Sequence, residues 1–230
     1  MRLWLGLIAL LSASDAWASP NSPLPYGSGY SSWGTQGGST LGHGNGARAN
    51  LFFSNRVNGD GYGWAGVEGY YIVGFDADVN LAIGGRLPFY PFGLSPGLEL
   101  KWRLIADKPF QLAFNFAAFV PIVFAGYDTL TVSLTLEPGV LMSVFIRDNM
   151  ELYFGPILSF APFVAPAPVF QVGLVHRLGF AYTLKSKNLG FFGHFEFGPG
   201  YYVPGTVHTG ALRSTFIFTG AFQAGAQFRF

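Results

Sequence analysis

The carboxyl-terminal residues 216–230 read FIFTGAFQAGAQFRF, and two kinds of residue alternate along them. One set is aromatic or small: Phe216, Phe218, Gly220, Phe222, Ala224, Ala226, Phe228 and Phe230. The other set is largely polar or small. A period of two predicts a β-strand, because successive side chains point to opposite faces. A strand in a soluble protein usually ends after about five or six residues. This longer strand indicates an apolar solvent against its aromatic face.

The same alternation recurs upstream. In residues 98–104, apolar side chains alternate with Glu99, Lys101 and Arg103, and residues 110–116 and 129–146 alternate in the same way. The long apolar runs 112–125 and 154–170 contain prolines that break a membrane helix. No stretch after residue 47 has apolar residues at helical spacing, so the sequence predicts an all-β fold.

The composition excludes several classes of protein. The chain of 230 residues is 50% hydrophobic, 18% aromatic and only 11% charged, whereas soluble domains carry about 25% charged residues. The net charge of +1 gives no electrostatic case for binding nucleic acid. The absence of cysteine excludes disulfides, a thiolate nucleophile and zinc–thiolate sites.

The amino-terminal residues predict export. Arg2 precedes an apolar stretch at residues 3–11, and Ala16 and Ala18 form a small-x-small cleavage site. Residues 1–18 are therefore predicted to be a signal peptide. A transmembrane anchor is the disfavoured alternative, because a spanning helix needs about 20 apolar residues. Export of an apolar chain without cysteine indicates the envelope of a Gram-negative-type bacterium.

Residues 19–46 form a Gly/Ser/Pro-rich linker without periodicity, predicted to be a flexible periplasmic tail. The alternative is that this segment folds back and plugs the barrel, for which its aromatic residues are the motive. Residues 47–230 are predicted to form the barrel itself.

Polar turns set the strand count. They recur at residues 76–78, 106–109, 147–149 and 185–188, so hairpins repeat at about forty residues. Five hairpins give ten strands, with eight or twelve as alternatives. A turn at Pro138-Gly139 would give twelve. A bulge there is preferred, because the alternation continues through Pro138 in phase.

The exported chain, its repeated hairpins and its terminal Phe-Arg-Phe resemble bacterial outer-membrane β-barrel proteins. The resemblance implies an antiparallel up-and-down transmembrane barrel in the outer membrane, in contact with its lipid. It also implies that Phe222, Phe228 and Phe230 belong to the signal read by the barrel-assembly machinery. Aromatic residues near strand ends are candidates for interfacial girdles: Tyr70, Tyr71, Trp102, Tyr153, Tyr182, Tyr201 and Tyr202.

The alternation places charged residues in the lumen. The predicted lumen-lining charges are Glu68, Glu99, Lys101, Arg103, Glu137, Arg177 and Glu196, and Glu151, His194 and Arg229 also point inward. The favoured interpretation is that acids and bases pair across a mostly filled lumen. The alternative is that they line a solute path or set its selectivity.

His194 and Glu196 are weak catalytic candidates, because residues two apart share a face and a carboxylate can orient an imidazole. Asp128 and His208 fall in outer connections, where omptin proteases place Asp and His, but the adjacent acid pairs of those enzymes are absent. The scattered histidines predict no metal site, and no cofactor is expected.

Three functions are therefore considered, and the favoured one is non-enzymatic. The first is a structural or narrow passive-pore barrel, with a polar, largely filled interior and no stable large pore. The second is a lipid or peptide hydrolase in the envelope. The third is a conduit for apolar small molecules, motivated by apolar residues near the outer end: Phe89, Tyr90, Phe92, Phe163 and Val164. The sequence leaves the oligomeric state open.

Overall fold

A computed structural model describes residues 36–56, 64–90, 92–107, 109–124, 130–165, 169–184, 188–204 and 215–230. The strands are β1 (Gly44–Arg56), β2 (Trp64–Gly74), β3 (Val79–Tyr90), β4 (Gly93–Ile105), β5 (Phe110–Phe119), β6 (Ile122–Phe124), β7 (Leu130–Arg147), β8 (Met150–Ala165), β9 (Val169–Thr183), β10 (Leu189–Pro204) and β11 (Thr215–Arg229). The predicted signal peptide with Ala16 and Ala18, and residues 19–35 of the linker, lie outside the described residues.

The strands pair antiparallel and form a closed barrel. Consecutive strands are neighbours, and β1 pairs with β11 over a register that runs from Gly46–Arg229 to Arg56–Thr219. β5 and β6 both lie between β4 and β7 and form one barrel strand, interrupted at Val120 and Pro121. The result is a ten-stranded up-and-down barrel, which confirms the predicted fold class and strand number.

No helix among the residues that the structure describes is long and apolar enough to cross a membrane.

β7 passes through Pro138 without a turn. Pro138 pairs with Phe116, and Gly139 pairs with both Asn115 and Ile157 in an unbroken register. The bulge predicted at this dipeptide is wrong, because the register shifts lie between Leu134 and Leu136 and near the carboxyl end of β7. Proline removes one ladder donor, and the long paired stretches on either side tolerate that loss.

The two faces of the barrel wall differ in polarity. On β11, Phe222 and Phe228 are exposed, whereas Gln223 and Gln227 are buried. On β10, Phe195 is 59% exposed and the adjacent His194 only 1%. An apolar exterior around a polar interior suits a wall that faces lipid, where a closed barrel bonds its backbone groups internally.

Residues 36–41, here called the plug segment, lie inside the barrel, and all six are buried. The predicted periplasmic tail is therefore wrong for residues 36–41. The alternative prediction, that the segment folds back and plugs the lumen, agrees with their position. Leu41 packs with Ile72 and Ala82 on the inner wall. Gly42 and Gly44 have φ angles of 74° and 121°, which permit the chain to turn from the plug segment into β1. β1 thus begins three residues before the expected boundary at residue 47.

Small inward residues leave the space that the plug segment fills. Ala113 and Ala181 are fully buried on the inner wall. A Cβ added at Gly37 would meet Ser143 Oγ and, at 2.6 Å, Tyr153 Cβ. A Cβ added at Gly38 would lie 2.8 Å from the main-chain oxygens of Gln111 and Leu141. The lumen is therefore wide enough for a glycine backbone at this level.

Candidate functional site: the plugged lumen

Arg48 on β1 pairs with two carboxylates inside the barrel. Its Nη2 lies 3.4 Å from Glu68 Oε1 and 3.1 Å from Glu99 Oε2. The guanidinium also lies over the Tyr70 ring, 4.5 Å from the centroid. Glu99 is on β4, which is not a neighbour of β1, so this pair crosses the lumen. All three charged groups are buried, and an ion pair in that setting is stable only while both signs are present.

Arg86 on β3 extends this network toward the outer end. Its Nε lies 2.8 Å from Glu68 Oε2, and its Nη2 lies 3.9 Å from Glu137 Oε2. The Arg86 guanidinium covers the Phe119 ring at 4.0 Å from the centroid. The two arginines therefore link three carboxylates from different strands into one continuous set of ion pairs.

A second set of ion pairs lies on β9 and β10. Arg177 Nη2 and Nε lie 2.7 and 2.8 Å from Glu196 Oε1. His194 Nε2 lies 3.4 Å from the same oxygen, without the geometry of a hydrogen bond. The Tyr153 hydroxyl lies 3.0 Å from His194 Nδ1. Glu196 is thus engaged chiefly by Arg177, and the imidazole lies between a tyrosine and that carboxylate.

The plug segment is held mainly through its backbone. Lys101 Nζ donates to the Gly37 carbonyl at 2.7 Å, and Arg177 Nη1 donates to the Gln36 carbonyl at 3.3 Å and to its amide oxygen at 3.2 Å. The Gly38 amide donates to Ser143 Oγ at 2.7 Å. These partners lie on β4, β7 and β9, so the wall surrounds the segment.

Two hydroxyl groups of the plug segment also bond to the wall. Ser39 Oγ donates to the Glu151 carboxylate at 2.8 and 3.1 Å. Thr40 Oγ1 donates to the Ala77 carbonyl at 2.6 Å, in the turn between β2 and β3. The segment carries no charge and satisfies lumen charges with neutral dipoles.

Most of the predicted inward charges lie in this network, but two lie at the end of the barrel. Arg103 Nη2 is 2.7 Å from Asp78 Oδ1 beside the β2–β3 turn. Arg229 Nη2 donates to the His43 carbonyl at 3.2 Å. Both contacts hold the end where the chain enters β1, so these residues lie apart from Glu68, Glu99, Lys101, Glu137, Arg177 and Glu196.

Sequence reasoning missed Arg48 and Arg86. Arg86 follows Ala82 and Gly84 in the inward phase of β3, and Arg48 alternates with exposed residues of β1, so the period of two could have found both. The girdle assignments of Tyr70 and Tyr153 are wrong. Tyr153 is fully buried and Tyr70 nearly so, because both lie in the inward phase of their strands.

The predicted assembly residues face outward. Phe222, Phe228 and Phe230 are exposed, and Phe230 reaches 73%. The Phe230 amide still donates to the Asn45 carbonyl at 2.9 Å, so the last residue is tied to β1. Asp128 and His208 lie outside the described residues. Phe89 and Phe92 are exposed at the β3–β4 connection.

Among the described residues, the ion pairs of the lumen surround a small cavity. A cavity of about 10 Å³, enough for about one water molecule, is lined by Arg48, Ile72, Asn80, Ala82, Glu99 and Lys101. Among the described residues, no cluster of three His, Cys, Asp or Glu side chains could hold a metal ion. His194 is enclosed by Tyr153, Phe192 and Glu196.

The barrel closes on itself, exposes aromatic side chains outward and pairs its charges inside. A closed barrel with an apolar exterior is what the resemblance to outer-membrane β-barrel proteins implies. No family model matches the chain, and no curated protein matches it.

Solved structures of outer-membrane proteins resemble this barrel at low identity. Neisserial surface protein A is 13% identical with a TM-score of 0.42, and covers 81% of this chain and 97% of its own. The outer membrane protease OmpT from Escherichia coli is 9% identical with a TM-score of 0.39, over 81% and 96%. The outer membrane protein OprG from Pseudomonas aeruginosa is 11% identical with a TM-score of 0.31, over 82% and 97%. These likenesses carry no activity over to this chain.

Proposed function

We propose that this chain is an integral outer-membrane barrel with a structural or narrow-pore role, closed by its own plug segment. The observation that supports this proposal most directly is that residues 36–40 form hydrogen bonds with Lys101, Ser143, Glu151, Arg177 and the β2–β3 turn. A segment held at five points on the wall blocks the wide part of the lumen. Outer-membrane lipid and, during biogenesis, the barrel-assembly machinery are the partners that this role implies.

The charge balance of the lumen supports a closed barrel. The acids of the network are Glu68, Glu99, Glu137, Glu151 and Glu196, and the bases are Arg48, Arg86, Lys101 and Arg177. Opposite charges in similar number pair with one another or with the plug segment. A wide ion path would instead need a lining that water solvates, and buried pairs of this kind resist separation.

The two alternatives receive less support from the geometry. A hydrolase using His194 needs substrate at a ring that is 1% exposed. A conduit for apolar molecules has exposed Phe89 and Phe92 near its outer end, but the lumen beneath them is charged. Burying an apolar solute there would separate ion pairs from their partners.

Planar-bilayer recording of the purified, refolded full-length protein tests the closed barrel. We expect no stable conductance of the size that general porins give. Gly37→Val with Gly38→Val should open a measurable path, because valine side chains would collide with Ser143, Tyr153 and the main chain of β5 and β7.

Gly220→Val is the matched control, because a Cβ at Gly220 meets nothing within 4 Å. It should behave like the wild-type protein. A porin-sized conductance from the wild-type protein would refute the closed barrel. Equal currents from the variant with Gly37→Val and Gly38→Val and from Gly220→Val would refute the role of the plug segment.

A further inference from the structure

We infer that the lumen is a peptide-binding site selective for a neutral segment with two consecutive glycines, and that the plug segment is its tethered ligand. This inference rests on the proposed plugging role and goes beyond it by naming the chemistry that the lumen recognises. An untethered peptide with the same sequence should therefore occupy the same site.

The contacts are those of main-chain recognition. Lys101 and Arg177 donate to the carbonyls of Gly37 and Gln36, and Ser143 Oγ accepts from the Gly38 amide. The chain turns at these three residues, and groups that bond to its carbonyls and amide recognise that backbone, whatever the source of the peptide. The wall supplies them from β4, β7 and β9, which belong to one closed sheet, so the site is held in place by the barrel itself.

Selectivity arises at three successive positions of the ligand. Side chains at the first two would overlap the wall, because a Cβ at Gly37 meets Ser143 and Tyr153 and one at Gly38 meets the main chain of Gln111 and Leu141. The third position needs a small donor, since Ser39 Oγ lies 2.8 Å from a Glu151 oxygen. The recognised pattern is therefore Gly-Gly-Ser, and an acidic residue in the third position would face a carboxylate.

The charge of the site favours a neutral ligand. Arg177 is already paired with Glu196, and Glu99 with Arg48. A charged peptide would have to displace one partner of a buried pair, which is unfavourable. The segment from Gln36 to Leu41 carries no charge, in agreement with these surroundings.

The test uses full-length protein whose own plug segment no longer fits. Gly37→Val with Gly38→Val removes the fit by volume, and Ser39→Asp removes it by charge beside Glu151. Both changes lie in the plug segment and leave the wall intact. The probe is a fluorescein-labelled synthetic peptide, TQGGSTLG, and binding is followed by fluorescence anisotropy in detergent micelles.

We expect saturable binding of TQGGSTLG to both variants, and binding at least about tenfold weaker for TQVVSTLG, because extra methyl groups in a packed site are strongly unfavourable. Wild-type protein should bind the free peptide more weakly than the variants, since its tethered segment competes at about millimolar effective concentration. Lys101→Met in the Ser39→Asp background should weaken binding, because it removes the donor to Gly37.

The inference is overturned if both variants bind TQGGSTLG and TQVVSTLG equally well. It is also overturned if folded variants conduct ions but bind neither peptide, a result that leaves the plugging role intact. Selective peptide binding by variants that do not conduct supports the site and refutes instead the proposal that the plug segment is what closes the lumen. Heat-modifiable migration on gels identifies the folded variants, and Ser39→Asp serves if the valine variant does not fold.

Discussion

Arg48 joins carboxylates that lie on two different strands, Glu68 on β2 and Glu99 on β4. Its side chain is 2% exposed, and its Nε and Nη1 have no hydrogen-bond partner among the described residues. Arg48 lines the small cavity, and a water molecule there would accept hydrogen bonds from these two nitrogens. A single guanidinium thus offsets much of the negative charge on that side of the lumen.

Arg48→Met should destabilise the barrel by about 3–5 kcal/mol, because it leaves buried carboxylates without their cation. Glu68 retains Arg86, so the loss falls mainly on Glu99. Urea unfolding in lipid vesicles, followed by tryptophan fluorescence, measures the difference. Arg147→Met is the control, because Arg147 is exposed beside a turn, and it should change stability by less than about 0.5 kcal/mol. Equal losses of stability from Arg48→Met and Arg147→Met would mean that the buried ion pairs stabilise the barrel no more than an exposed arginine does.

At the scale of the element, β7 shows how the alternation divides lipid from lumen. Val140 and Ile146 face outward on the same strand, whereas Leu141, Ser143 and Phe145 are buried between them. Val140 lies in the middle of the strand and Ile146 lies beside the turn at Asp148. The two positions therefore differ in depth but share one face.

Val140→Arg should cost about 2–4 kcal/mol and Ile146→Arg about 0–1 kcal/mol, because arginine is most unfavourable at the middle of the bilayer. The comparison uses the same strand and the same substituent, so depth is the variable. Unfolding titrations of the two variants in vesicles give the difference. A larger loss from Ile146→Arg would contradict the depth assigned to β7.

At the scale of the whole molecule, closure is the property from which the others follow. The pairing of β1 with β11 leaves the barrel without an exposed edge, and such barrels resist detergent until heated. Unboiled protein should therefore migrate differently from boiled protein on denaturing gels. It should also fractionate with the outer membrane of the producing bacterium. Recovery in the soluble periplasm would refute the membrane location.

The last residue gives a prediction about assembly. Phe230 follows the end of β11 and is 73% exposed, so a polar Phe230→Ser at this interfacial depth should change the stability of refolded protein by only about 0–1 kcal/mol. If Phe230 belongs to the signal read by the assembly machinery, the same change should lower the amount of protein in the outer membrane. Quantitative blotting of membrane fractions, beside refolding yields in vitro, separates the two effects. An unchanged membrane level would remove Phe230 from the signal.

The amino-acid sequence alone predicted the all-β fold, ten as the favoured number of strands, and the side of the wall on which most residues of β4, β7 and β11 lie. These properties are local, because a period of two and a polar turn are both visible within one hairpin. Cross-strand neighbours such as Arg177 and Glu196 on β9 and β10, or Glu68 and Arg86 on β2 and β3, follow from the hairpin register. The outward and inward phases of β4, β7 and β11 could therefore be predicted without a structure.

Only the tertiary structure decided what fills the lumen. Arg48 meets Glu99 from β1 to β4, and Tyr153 meets His194 from β8 to β10, across distances that no hairpin register sets. The plug segment has no periodicity, and its place depends on lumen groups from several strands that closure brings together. Why residues 37 and 38 are glycines becomes clear only in the folded barrel, where the wall leaves no room for a side chain at either position.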